Sequence, residues 1–131
     1  MNQYSRQLLS IVRIVTGLLF TCHGAQKLFG AFGGVNAEGM AVPLLSRMGA
    51  AGIIEFFGGL LITVGLMTPY VAVLAAGEMA AAFFLSHFPR GWWPIRNGGE
   101  MAVFYSFFFL YLSSVGAGPW SVDALLRKPR A

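Results

Sequence analysis

Apolar residues fill this chain in long blocks, and polar side chains interrupt them only at intervals. The first block follows Arg6 and covers 8–29, broken by Arg13, His23 and Lys27. A second covers 52–88, far more than the roughly 20 residues one membrane crossing needs. Thr68-Pro69 divides it, because proline lacks a backbone donor and biases the preceding residue away from helix. Spans of about 50–67 and 70–88 result, and the tight turn between them makes them antiparallel neighbours. A fourth block, 98–115, is rich in Phe and Tyr. The pattern predicts an all-α protein: one integral membrane domain over 1–131, a four-helix bundle running up-down-up-down. Ala72, Ala76 and Ala80 form a small-residue ridge on which the third span can pack closely against a neighbour.

The connections carry their own signals. The stretch 30–49 is a long loop, glycine-rich at first, in which 40–48 can form a short helix lying on the membrane. The stretch 88–97 sets Pro89, Trp92, Trp93 and Pro94 between Arg90 and Arg96, a composition suited to the headgroup layer. After Gly116-Ala117-Gly118-Pro119 the last span must stop, and Ser121 can cap a short surface helix over 122–128 beside Trp120. Arg6 before an apolar run resembles a signal peptide, but Arg13 interrupts the run and no A-x-A site follows. The segment is therefore read as a mature first span.

Composition agrees with lipid as the solvent: 56% of residues are hydrophobic and 11% charged, against roughly 45–50% and 25% in soluble domains. The net charge of +4 does not point to nucleic acid, which needs basic residues gathered on one face. Here they are scattered at span ends as Arg6, Lys27, Arg47, Arg90, Arg96, Arg127, Lys128 and Arg130, where they anchor spans among lipid headgroups. Arg13, near the start of span one, tips the topology towards cytoplasmic termini. Cys22 is the sole cysteine, so an intrachain disulfide, a CxxC pair and an iron–sulfur set are excluded. Electron transfer would need a bound cofactor or a redox partner.

Ionisable residues inside spans are costly and normally face the bundle interior. With a rise of about 1.5 Å per residue, Arg13 lies roughly 7 Å and Glu78 roughly 12 Å from the same face, close enough to form a structural ion pair. Five others fall towards the opposite, outer face. His23 and Lys27 share one side of span one, Glu55 enters early in span two, His87 closes span three and Glu100 opens span four. Several readings of this cluster stand side by side. Lys27, His87 and Glu100 can simply snorkel and anchor the bundle. The group can form a polar pocket, lined by Phe and Tyr, that hydrogen-bonds a quinone headgroup or similar small molecule. His23, Glu55, His87 and Glu100 suit a metal by type but lack a ligand spacing motif, and two histidines at helix ends are thin grounds for haem. An ion pathway would need polar groups at successive depths, and Glu78 is the only acid near mid-span. No phosphate loop, nucleophile elbow or zinc-protease motif occurs.

Arg13-x3-Gly17, His23-Gly24-x2-Lys27-Leu28-Phe29-Gly30, Glu55-x2-Gly58-Gly59-Leu60, Gly65-Leu66-x-Thr68-Pro69 and Gly116-x-Gly118-Pro119-Trp120-Ser121-Val122-Asp123 occur in that order. The combination resembles the DoxX family of small bacterial membrane proteins, over about residues 13–126. The resemblance implies a four-helix inner-membrane protein, an oxidoreductase component not catalytic alone, with a soluble or peripheral redox partner. It implies a link to quinone, since the family name comes from a quinone-linked thiosulfate-oxidising complex to which DoxD-type subunits are related. Arg13, His23, Lys27, Glu55 and Asp123 match the family's polar signature, whereas Glu78 and Trp92-Trp93-Pro94…Asn97-Gly98-Gly99-Glu100 look like a subgroup feature. The expectation is a membrane subunit of a quinone-linked complex with a polar pocket at its outer end; the alternative is a non-catalytic scaffold or small-molecule permease.

Overall fold

Asn2 starts the first helix by accepting the backbone N–H of Ser5, and Gly30, in the left-handed region, ends it. The computed structural model describes residues 1–127, and this helix, α1, is Gln3–Phe29. Ser46 caps α2, Arg47–Val64, through the N–H of Gly49; Gly65 closes it, again left-handed. Pro69 sits in the first turn of α3, Thr68–Ala82, where its missing N–H costs nothing. The helical path continues through a π-helical turn, Phe83–His87, and a 3₁₀ turn, Phe88–Arg90. A one-turn helix α4, Pro94–Asn97, leads into α5, Glu100–Val115, and Ser121 caps a last short helix α6, Val122–Leu126.

Gln3–Phe29, Arg47–Val64 and Thr68–Arg90 are long and apolar enough to cross a membrane; Glu100–Val115 is a shorter apolar helix. Among the described residues there is no strand. The surface matches lipid rather than water. Leu8, Ile11, Val15, Leu18, Phe57, Leu60, Val73, Leu74, Phe104, Phe107 and Leu110 point outward, while Ser10, Arg13, Glu55 and Thr68 are buried. Polar groups inside and large apolar groups outside is the arrangement hydrocarbon demands.

Three details differ from the sequence reading. Residues 40–48 form no separate surface helix: Pro43 and the Ser46 cap leave an irregular approach, Val42 N–H bonds back to the Lys27 carbonyl at 2.8 Å, and helix begins at Arg47. The third apolar run does not stay α-helical to residue 88, because Phe88 N–H bonds to the carbonyl of Phe83, the i→i+5 spacing of a π turn. The surface helix spans Val122–Leu126; residue 128 lies outside the described residues, as does Arg130.

Packing between helices is set by small residues. α1 lies against α2 along Gly17, Gly24, Gly52 and Gly59. A Cβ on Gly17 would meet Thr63, one on Gly59 would meet Thr21, and one on Gly24 would run into the backbone of Phe56. Thr21 and Thr63 turn their hydroxyls back to the carbonyls of Gly17 (2.8 Å) and Gly59 (2.7 Å), which satisfies those oxygens where they lie against the glycines of the facing helix. On α3, Ala72, Ala75 and Ala76 are buried, and Ser106 of α5 donates to the Ala76 carbonyl at 2.9 Å. Phe20, Ile62, Met79, Tyr105, Phe109 and Leu112 fill the centre.

Candidate functional site

The absence of side chains along the α1–α2 seam brings two charges together. Gly24 lets the backbones touch, and Gly52 packs its Cα beside the Cβ of Lys27. Lys27 and Glu55 consequently meet, Nζ to Oε2, at 2.5 Å, with Glu55 only 1% exposed and Lys27 13%. This is the only salt bridge among the described residues.

The pair forms one wall of a cavity of about 600 Å³ at the end of the molecule away from Asn2 and Asp123. His23 lines it one turn before Lys27, its ring edge-on to that of Tyr105 with centroids 6.0 Å apart. Phe20 and Tyr105 supply flat apolar surface; the Phe20 and Tyr105 rings lie 5.6 Å apart. α3 contributes Glu78 and Met79, and the π turn contributes Ser86 and His87. The Glu78 Oε2 atom is buried and has no hydrogen-bond partner. A buried carboxyl oxygen without a donor costs free energy, and a ligand that brings it a donor offsets that cost.

His87 is held from outside. Its Nδ1 lies 3.0 Å from Arg90 Nη2 and 3.2 Å from the Asn97 carbonyl, so it can accept from the guanidinium or, in the other tautomer, donate to the carbonyl. Asn97 is buried and fixes this rim by donating to the Gly91 carbonyl at 2.9 Å and accepting from Gly99 N–H at 2.8 Å.

Of the residues expected in the pocket, His23, Lys27, Glu55 and His87 share this cavity and Glu100 does not. Glu100 is exposed on the opposite face of α5, in register with Phe104 and Phe107 beside Pro94 and Ile95; Met101, Ala102 and Tyr105 are the residues of α5 that face the cavity. The expected Arg13–Glu78 ion pair does not form. Arg13 is fully buried level with the α2–α3 turn, donating from Nη1 to the Ala117 carbonyl at 2.7 Å and from Nη2 to the Trp120 carbonyl at 2.6 Å. Glu78 lies ten residues along α3 from Thr68, roughly 15 Å further up, which is why it joins the cavity instead. Among the described residues no three His, Cys, Asp or Glu side chains gather as a metal would need. His23 and His87 both line the cavity, but the Nδ1 of His87 is already engaged at its rim.

The opposite end is a latch. Asp123 accepts the N–H groups of Met67 (2.8 Å) and Thr68 (2.9 Å), capping α3 from across the molecule, and its own N–H bonds to the Gly65 carbonyl at 2.8 Å. Burial alone would raise the Asp123 carboxyl, but its bonds to Thr68 and Met67 and the nearby Arg127 more than offset this and hold it below the usual carboxylate range. Trp120 N–H donates to Ser10 at 3.2 Å, completing a clasp of the closing segment on α1 and the α2–α3 turn.

The family model for DoxX matches residues 8–88. The chain belongs to the DoxX family. It is a membrane protein of that family, and the matched stretch holds Arg13, His23, Lys27, Glu55, Glu78 and His87, while Tyr105 and Asp123 lie beyond it. An uncharacterized protein of Haemophilus influenzae is 36% identical over 130 residues, covering 94% of this chain and 93% of its own length. The inner membrane protein YqjF of Escherichia coli is 30% identical over 126 residues, covering 90% of this chain and 91% of its own. No solved structure matches the chain.

Glu78, Tyr105 and Ser86 were not expected by number in the cavity, nor Asn97 at its rim. For Glu78 the available signal was position: four residues before Ala82 on one helix face, with Met79 beside it, all turned to the same interior.

Proposed function

We propose that this DoxX protein crosses the bacterial inner membrane four times, by α1, α2, α3 and α5 with both termini cytoplasmic, and binds a quinone headgroup in the cavity at the outer face. What carries the reading is Glu78: a buried carboxyl oxygen without a hydrogen-bond donor, beside Glu55 of the buried Lys27–Glu55 pair, on the wall of a cavity that sets the rings of Phe20 and Tyr105 among the polar groups of His23, Ser86 and His87. The volume suits a small ligand, for which pockets of roughly 300–1,000 Å³ are usual. The donor set also fits. Lys27 and His23 offer N–H donors to a ring carbonyl, Glu78 accepts from a ring hydroxyl, and Phe20 and Tyr105 present aromatic surface to a flat ring. Quinone, when bound, supplies two-electron redox chemistry, for which this chain, with Cys22 its single cysteine, has no dithiol couple of its own.

In this reading the chain's own residues bind and orient the headgroup, and electrons come from a soluble or peripheral redox protein that docks at the cavity end. Exposed Arg47, Arg90 and Arg96 ring that end and suit a partner with an acidic face. The relative from Escherichia coli, named as an inner membrane protein, supports the location.

Titrating ubiquinone-1 into the full-length chain in nanodiscs tests the proposal. Micromolar binding is expected, weakened at least tenfold by Glu78→Gln and by His23→Ala in samples whose thermal transitions are kept. Absence of saturable binding to the unaltered chain would overturn it.

A further inference from the structure

We infer that the crevice between α2 and α3 is a portal from the lipid to the cavity, and that it holds the hydrocarbon tail of the molecule whose headgroup sits inside. This rests on the quinone reading above. A second cavity, about 350 Å³, runs between Arg47, Ala50 and Ile54 of α2 and Ala81 and Leu85 on the third apolar segment. It joins the central cavity through shared walls: Met48, Ala51, Glu78, Ala82 and Ser86 line both. The two volumes adjoin, with Glu78 among the residues between them, and in the proposed portal they form one path.

The outer lip of that path faces lipid. Ala50, Ala81 and Leu85 are exposed on helices that cross the membrane, so the hydrocarbon phase reaches them. The helices part here for a physical reason. α2 and α3 are tied at the turn around Gly65–Met67, and the crevice lies at the other end of both. Along α1–α2 a Cβ on a seam glycine would strike backbone. On the α2–α3 side a Cβ on Gly58 would touch only Val71 Cγ1, at 3.6 Å, and one on Gly77 would meet nothing within 4 Å. The π turn at Phe83–His87 then sets Leu85 and Ser86 along the crevice wall.

An isoprenoid tail gains nothing by entering a cavity that holds a buried ion pair and a second acid, and it loses nothing by staying in hydrocarbon. A lateral crevice lined by alanines lets the head pass inward to Glu78 while the tail remains in lipid. Arg47 at the mouth marks the headgroup level.

Affinities of ubiquinone-2 and ubiquinone-8 for the full chain in the same nanodiscs test this, with Ala81→Phe and, separately, Ala50→Phe. Both residues line the crevice and not the central cavity, and both already face outward. The ratio of long-tail to short-tail affinity should fall at least tenfold in each variant. An unchanged ratio overturns the portal and leaves the headgroup site standing; failure of either quinone to bind the unaltered chain overturns the headgroup reading itself.

Discussion

Removing Lys27 alone should harm the protein more than removing Lys27 and Glu55 together. Lys27→Met keeps the length of the side chain and deletes its charge. Glu55, 1% exposed, then loses its salt-bridge cation and lies beside a second acid, Glu78, on the cavity wall. Losing one member of a buried pair costs about 3–5 kcal/mol, because the remaining charge stays desolvated. A chain of this size shifts its melting temperature by roughly 4 °C per kcal/mol, so the single variant should melt about 12–20 °C lower. Lys27→Met with Glu55→Leu leaves no charge to satisfy and should recover to within about 1 kcal/mol of the starting protein, as apolar replacements of buried ion pairs commonly do. The assay is thermal unfolding in one mild detergent of the two single variants, the double variant and the unaltered chain, read as a double-mutant cycle. A coupling energy below about 1 kcal/mol would show that the two side chains do not pair in the folded membrane protein. The same four proteins separate structure from function: the double variant should be stable and yet fail to bind ubiquinone-1.

Arg13→Met should cost about 3–6 kcal/mol, from two charged hydrogen bonds to the Ala117 and Trp120 carbonyls, and should expose the closing segment to limited proteolysis; a protease-resistant, equally stable variant would contradict the latch. Asp123→Ala should lose about 1–2 kcal/mol at neutral pH by uncapping α3, and the unaltered latch should be acid-sensitive. Because the folded Asp123 carboxyl is held below its unfolded value of about 3.9, its contribution is complete above that value and disappears as pH falls through the lower folded one. Melting curves of the unaltered chain and the alanine variant should therefore converge only below about pH 4; convergence already at pH 6 would refute the assignment. Gly24→Leu should separate α1 from α2 and abolish the Lys27–Glu55 contact, giving loss of monodisperse protein on size exclusion, whereas Gly77→Leu, with open space at its Cα, should behave like the parent.

Much of the architecture was written in hydropathy, because in lipid every span must be apolar for its full length and turn residues stand out. Thr68-Pro69 and Ser121 act locally, through one missing donor or one capping oxygen, and such effects read directly from sequence. The helix start at Arg47 and the π turn at Phe83–His87 were hidden, since both follow from how the chain packs at the cavity rim. The site divides the same way. His23 and Lys27 were placed on one face by helical period alone, and Glu55 by its early position in the expected span of about 50–67, although α2 begins at Arg47 and sets it near mid-helix. Arg13 and Glu78 misled the reading because depth within a span was counted from assumed span ends. An offset of a few residues at each end, such as α1 beginning at Gln3, exceeds the difference the pairing argument relied on. Glu100 failed for a different reason: depth brought it to the right end of the molecule, and helical phase turned it to the wrong side. The glycine seam was visible in the letters, but only the facing helix reveals that Gly24 and Gly59 are what allow the Lys27–Glu55 contact.

The most direct test of the cavity as a headgroup site is to irradiate the full chain in nanodiscs with an azido-substituted quinone and map the labelled peptides by mass spectrometry. Label concentrated on the segments 20–27, 78–87 and 101–105, and competed away by excess ubiquinone-1, is the expected result. Label confined to the outer face of α5 around Phe104, Phe107 and Tyr111, or label that excess ubiquinone-1 leaves undiminished, would contradict it.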